Sequence, residues 1–318
     1  MNLEHYKKIM DIVQETEKSG DLIQARELTG LSGEKVVGTL QRLAKFQNGF
    51  TEGCYLEIGV FQGLTLISVA SVLDGSLAYG VDNFAQFDPK GVNERIVKKR
   101  AELNGLNNIR LINADYEEAL ENLEKHIGDS KIGLYFVDGP HDYRSQLTCL
   151  NLARPHLSAN SVIVVDDCNF RHVRLANRDF LFANPEFKLL FEAYTDCHPC
   201  NMDKNGKEEA RKGWWNGVNM IVRDPDNTLS VMFPETHRDR ALFENDNIVH
   251  SAKYGVLAPE AIFFVQSTCS LHLMSALKQL AKMWIKLRKN RKQSVGKYPS
   301  MNTYSERLPK MRCNETLR

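Results

Sequence analysis

Leu56-Glu57-Ile58-Gly59-Val60-Phe61-Gln62-Gly63-Leu64-Thr65 decides the fold of this chain. Cys54 to Ile58 is apolar enough for a buried strand, and Leu64 to Leu73 has the spacing of a helix. A turn that bears glycine between a strand and a helix lets a ligand approach the backbone closely. Dinucleotide-binding turns carry GxGxxG, with a pyrophosphate on the helix N-terminus. Here an acid stands two residues before the first glycine, and the second glycine comes four residues later. An acid at that place repels a pyrophosphate and suits a ligand with a cationic ammonium group.

The same alternation continues downstream. Strands are expected at Leu77–Asp82, Ile109–Asn113, Leu134–Val137 and Val162–Val165. Helices are expected at Asn93–Leu103, Tyr116–Ile127 and Tyr143–Arg154, which implies a parallel sheet with right-handed crossovers. Past Asn169 the alternation weakens. Phe187–Tyr194 and Val218–Val222 read as an antiparallel pair, and the charged stretch Asp203–Gly213 between them reads as a surface loop. The fold class is therefore α/β, a mostly parallel sheet with an antiparallel last strand and helical extensions at both ends.

The chain divides into four zones: a helical cap over 1–48, the α/β domain over 49–224, an extension over 225–292 and a polar tail over 293–318, expected to be disordered. In the extension, Leu273, Leu277, Leu280, Trp284 and Leu287 form a stripe, and Lys278, Lys282, Lys286, Lys289 and Lys292 lie off it. The 271–292 helix can contact an anionic membrane surface or a second copy of the chain. With 41 Lys and Arg against 40 Asp and Glu, nothing in the balance points to nucleic acid as a partner. Seven scattered cysteines and no secretory leader pattern at the N-terminus fit a reducing, cytoplasmic setting. Cys197-His198-Pro199-Cys200 lacks the second ligand pair of a zinc site.

Acids recur at the strand ends. Asp82 lies 23 residues past Gly59, close to the spacing of an acid that holds ribose hydroxyls, with Asn83 beside it. Asp115 is placed to meet the exocyclic amine of adenine or to cap the next helix, and Tyr116 to stack on the ring. Asp138 ends the fourth strand, and Asp166 and Asp167 the fifth. Three carboxylates at one sheet edge repel one another unless a cation intervenes, and oxygen ligands suit Mg²⁺, Ca²⁺ or Mn²⁺. His141, three residues past Asp138, is a candidate general base, and His172 a weaker one.

These residues resemble motif I and the subsequent strand-end acids of class I S-adenosylmethionine (SAM)-dependent methyltransferases, in the methyltransferase-24-like branch with catechol-type and macrocin-type O-methyltransferases. The resemblance spans Gly49–Asp224, about half the chain. It implies a Rossmann-like fold in which Glu57, Gly59, Gly63 and Thr65 hold the methionine end of SAM, Asp82 the ribose and Asp115 the adenine. Phe61, Asn83, Tyr116 and Asp138 complete the expected cofactor contacts. Catechol-type members carry Asp-Asn where this chain has Asp166-Asp167, so the macrocin type is nearer. The implied activity is O-methylation of a small-molecule hydroxyl, with Asp138 and His141 catalytic and a metal on Asp138, Asp166 and Asp167. A metal-independent N-methyltransferase, a non-catalytic SAM-binding scaffold and, more remotely, a nicotinamide-dependent oxidoreductase are the competing readings.

Overall fold

The computed structural model describes residues 3–20, 25, 28–48, 53–236, 258–293 and 308–317. Two helices, α1 (Leu3–Ser19) and α2 (Glu34–Asn48), precede the sheet. The expected boundary at 48/49 borders residues outside the described set. The strands are β1 (Gly53–Ile58), β2 (Ala78–Val81), β3 (Ile109–Ile112), β4 (Lys131–Val137), β5 (Leu157–Val165), β6 (Phe187–Ala193), β7 (Val218–Arg223) and β8 (Met311–Cys313). They form one sheet in the order β3-β2-β1-β4-β5-β7-β6-β8. β1 to β5 are parallel, and β7 runs antiparallel between β5 and β6. The order reverses between β1 and β4, the switch point where ligands of open α/β sheets bind.

Both faces are covered, which explains why the central strands are apolar throughout. One core contains Leu56, Ile58, Tyr135, Val137 and Ile163 beneath α5 (Tyr116–Glu121), α6 (Leu123–Ile127), α7 (Tyr143–Ala153) and α8 (Arg171–Ala183). The other contains Tyr55, Leu134, Phe136 and Val164 beneath α1, α2, α3 (Leu64–Ala70) and α4 (Asn93–Leu103). On α1, Tyr6, Ile9, Met10 and Val13 are buried at helical spacing. The helix expected over Tyr116–Ile127 is two short helices with Asn122 at their junction.

Three expectations need correction. Asp203–Gly213 is not a loop: Lys204–Lys212 forms α9, with the Asp203 carboxylate accepting from the Gly206 amide at 2.7 Å. A long helix, α8, lies between β5 and β6, where the sequence pattern had faded. The tail is not wholly without structure. Met311–Cys313 adds antiparallel to β6, the Asn314 amide donates to the Leu190 carbonyl at 2.8 Å, and Arg312 pairs with the buried Glu192 at 2.6 Å. The rest of the predicted disordered tail, 294–307 and 318, lies outside the described residues. Two further helices, Ala258–Cys269 and Leu273–Gln293, form a hairpin. Among the described residues, no helix is long and apolar enough to cross a membrane.

Candidate active site

Parallel pairing levels the strand ends. The amide of Asp82 donates to the Ile112 carbonyl, Gly59 to Val81, Asp138 to Ile58 and Asp166 to Val137, at 2.9–3.2 Å. Four residues chosen from sequence thus stand in one row across the carboxyl edge of β2, β1, β4 and β5.

The turn after β1 is built on positive φ. Gly59 has φ +90°, and a Cβ there would lie 1.9 Å from the Asp138 carbonyl oxygen. Gly63, at φ +82°, opens α3. Phe61 is also left-handed, at φ 50°, and its ring meets Phe87 edge to face. Glu57 is fully buried beneath this turn. Its two oxygens accept from the Tyr55 hydroxyl at 2.6 Å and the Thr65 hydroxyl at 3.2 Å. Burial pushes its carboxyl up to about 8, against the opposing pull of those two bonds.

Asp82 clamps the same turn. Oδ2 accepts from the amides of Val60 (2.9 Å) and Phe61 (2.8 Å), and Oδ1 from Phe84 (2.7 Å). A carboxylate offers about four lone-pair sites, so capacity for one further donor is left. Asn83 accepts from the Ala85 amide. Asp115 caps α5 by accepting from the Glu117 amide at 2.9 Å. Tyr116 packs against the core and donates to Glu117, so its ring serves the α5 interface. The ring pair at the turn is instead Phe61 and Phe87.

At β4 and β5 the acids diverge. Asp166 is buried and accepts from the Ser32 hydroxyl at 3.2 Å and the Asp167 amide at 2.9 Å. Burial and the neighbouring Asp167 charge push it up to about 8. Asp167, left-handed at φ 56°, points elsewhere. It lies 2.7 Å from His141 Nε2 and accepts from the Asn216 side chain. Burial opposes its ionisation, yet His141 and the bond from Asn216 hold it below the usual carboxylate range. Burial likewise opposes protonation of His141, but Asp167 reverses the sign and raises it above an ordinary histidine. The His141 ring stacks on Phe170 with centroids 5.3 Å apart. Asp138 is raised by burial and by the Asp166 and Asp167 charges. Asp138, His141 and Asp167 each present one ligand atom, all within 4.8 Å of one another. Asp166 is not in that group, and among the described residues no other such cluster of metal-capable donors occurs.

Several contributors were not legible in sequence. Ser32 reaches Asp166 from the segment before α2. Arg100 donates to the carbonyls of Gln62 and Thr29 and ties that segment to the turn. Asn216 reaches Asp167 from the end of the α9 insertion. His198 tilts against Phe170, and its Nδ1 accepts from the Cys200 amide, so the CxxC stretch is a local turn with free cysteines. His172 lies on α8, outside the cluster. A hollow of about 430 Å³ between Ala70, Leu73, Asn108 and Arg110 lies at the opposite, amino edge of the sheet.

Residues 56–168 match the family model described as a methyltransferase domain. Solved structures similar to the chain include an O-methyltransferase from Bacillus cereus in complex with SAH (15% identity, 70% of this chain and 92% of that one, TM-score 0.45). Another is the O-methyltransferase TomG of tomaymycin synthesis from Streptomyces achromogenes, in complex with SAM (14%, 70% and 91%, TM-score 0.45). A third is an SAH-bound methyltransferase from Podospora anserina (15%, 70% and 87%, TM-score 0.43). No curated protein sequence matches the chain. The family match covers the glycine turn and the acids at the ends of β2, β4 and β5, so over residues 56–168 the chain is similar to a methyltransferase domain.

Proposed function

We propose that the protein methylates a hydroxyl of a small molecule, with a divalent cation held by Asp138, His141 and Asp167 beside the methyl donor. The observation that carries this reading is the convergence of those three groups at the sheet's switch point. Two carboxylates and an imidazole are a fitting donor set for Mn²⁺ or another first-row divalent ion, the carboxylates alone being the kind of donor that suits Mg²⁺. Such an ion supplies charge that lowers the pKa of an acceptor hydroxyl and orients its oxygen.

The chain's own residues do the rest. The Gly59–Gly63 turn admits the methionine end of SAM against bare backbone, and Asp82 holds that turn while offering a site to a ribose hydroxyl. Asp166, the third expected ligand, fastens the Ser32 segment over the edge through its hydroxyl. Without a cation, His141 Nε2 stays on Asp167 and Nδ1 is left for the acceptor proton.

The 2.7 Å His141–Asp167 pair also favours a second reading, in which this dyad is the base and no metal takes part. One experiment separates them. Purified protein is titrated with S-adenosylhomocysteine, then assayed for methyl transfer to polyhydroxylated acceptors with chelator, Mg²⁺ or Mn²⁺. Activity lost in chelator and restored by metal supports the metal reading. Activity indifferent to chelator leaves the dyad. Absence of S-adenosylhomocysteine binding overturns both.

A further inference from the structure

The helical hairpin formed by Ala258–Cys269 and Leu273–Gln293 is unlike the rest of the molecule. Its two helices make their main contact with each other. Large apolar side chains remain exposed: Met274 at 81%, Leu273 at 66% and Trp284 at 60%, with Ile262, Phe263 and Leu277 also open. In the sheet domain, by contrast, the large apolar residues form two cores.

Charge identifies what covers this surface. Residues 258–293 contain seven Lys and Arg and one acid, Glu260, whose carboxylate is taken by Lys286 at 2.7 Å. The hairpin thus carries a net charge of +6 while the chain totals +1, which leaves the remaining residues at −5. Lys278, Lys282 and Lys286 recur every four residues, opposite the stripe of Leu273, Leu277, Leu280, Trp284 and Leu287. Leucine and tryptophan on one face with lysine on the other is the pattern of a helix that lies in a membrane interface without crossing it.

We infer that the hairpin docks the protein on an anionic phospholipid surface. Two copies of a +6 hairpin repel each other at contact distance, whereas an anionic bilayer attracts each. The same surface repels the negative remainder of the chain, which holds the sheet domain and its open edge away from the lipid.

The test is flotation of the full-length protein with vesicles of phosphatidylcholine alone and of phosphatidylcholine doped with phosphatidylserine. The expected result is flotation with the doped vesicles only, weakened by salt. Lys278→Gln with Lys282→Gln is expected to lower partitioning about 30-fold, from about 1 kcal/mol per base. Leu277→Ser with Trp284→Ser also weakens it, since the apolar face inserts. All four positions are exposed, so S-adenosylhomocysteine binding and melting temperature should stay unchanged and report intact folding. Equal flotation with both vesicles, or with neither, overturns the inference. So does a concentration-dependent dimer in sedimentation that Trp284→Ser abolishes without any lipid binding.

Discussion

His141 Nε2 sits 2.7 Å from Asp167 Oδ2, and the two side chains set each other's charge. Burial alone would drive the imidazole neutral, but Asp167 holds its proton. In the metal-free protein the His141 resonance should therefore titrate above the ordinary histidine value, and Asp167→Asn should bring it down. The linked stability has a definite sign: a raised histidine stabilises below its unfolded value, and the gain is lost as pH rises through the folded one. NMR titration of the ring checks this. A His141 that titrates identically in wild type and Asp167→Asn would show that the pair is not an ion pair in solution. His141→Ala is expected to lower kcat about 10²- to 10⁴-fold, the usual weight of a general base.

Glu57 makes a second prediction. Its carboxyl, raised to about 8 by burial, is mostly protonated at neutral pH. An ammonium group arriving at the turn favours the ionised form, so binding S-adenosylhomocysteine should release a proton at neutral pH. Calorimetry in buffers of different ionisation enthalpy measures it directly. Glu57→Gln should abolish the release and weaken binding about 10- to 100-fold, as loss of a charged hydrogen bond does. Binding without proton release would make Glu57 a neutral brace for Tyr55 and Thr65 instead.

The glycine turn separates two kinds of backbone cost. In Gly59→Ala the new Cβ meets the Asp138 carbonyl at 1.9 Å, a backbone atom that cannot yield without parting β1 from β4. In Gly63→Ala the nearest atom is the Cδ1 methyl of Ile67 at 3.0 Å, the end of a side chain. Both carry a positive-φ penalty of about 1–2 kcal/mol. Only the first should also eliminate S-adenosylhomocysteine binding. Melting curves and titrations of the two variants test the ranking, and equal losses would refute it.

The strand ends explain how much of this site was legible. Parallel pairing with little register shift puts Gly59, Asp82, Asp138 and Asp166 in one row, so naming the strands names the row. The loops beyond the strand ends were less readable. Asp166 and Asp167 are adjacent, yet the left-handed backbone at Asp167 sends one carboxylate to Ser32 and the other to His141. No pattern in the sequence foretells that split. Ser32 and Asn216 lie 134 and 49 residues from their carboxylate partners, so they join the site only through tertiary packing. α8 carries Arg174 and Asn177 on its buried side, where polar residues masked the helical stripe. β8 is three residues long, with an arginine whose place is sensible only once the buried Glu192 is seen beneath it.

That arginine gives the last prediction. Glu192 is fully buried on β6, and burial raises its carboxyl. It accepts from the Tyr194 hydroxyl at 2.5 Å and pairs with Arg312 at 2.6 Å. Tyr194 in turn accepts from Asn219, and Asn219 from Asn177, so the pair ends a buried polar chain that reaches α8. Removing one partner of a buried ion pair leaves an uncompensated charge and costs about 3–5 kcal/mol. Arg312 is partly exposed, so Arg312→Ala should fall at or below the lower end of that range. The stranded carboxylate escapes by taking a proton, so the deficit should shrink as pH falls toward the ordinary carboxylate range. Glu192→Gln removes the charge itself and should make Arg312→Ala nearly silent when the two are combined. Denaturant melts of both singles and the double at two pH values measure this coupling. An Arg312→Ala deficit that is independent of pH and additive with Glu192→Gln would mean that β8 is held by its backbone bonds to β6 alone.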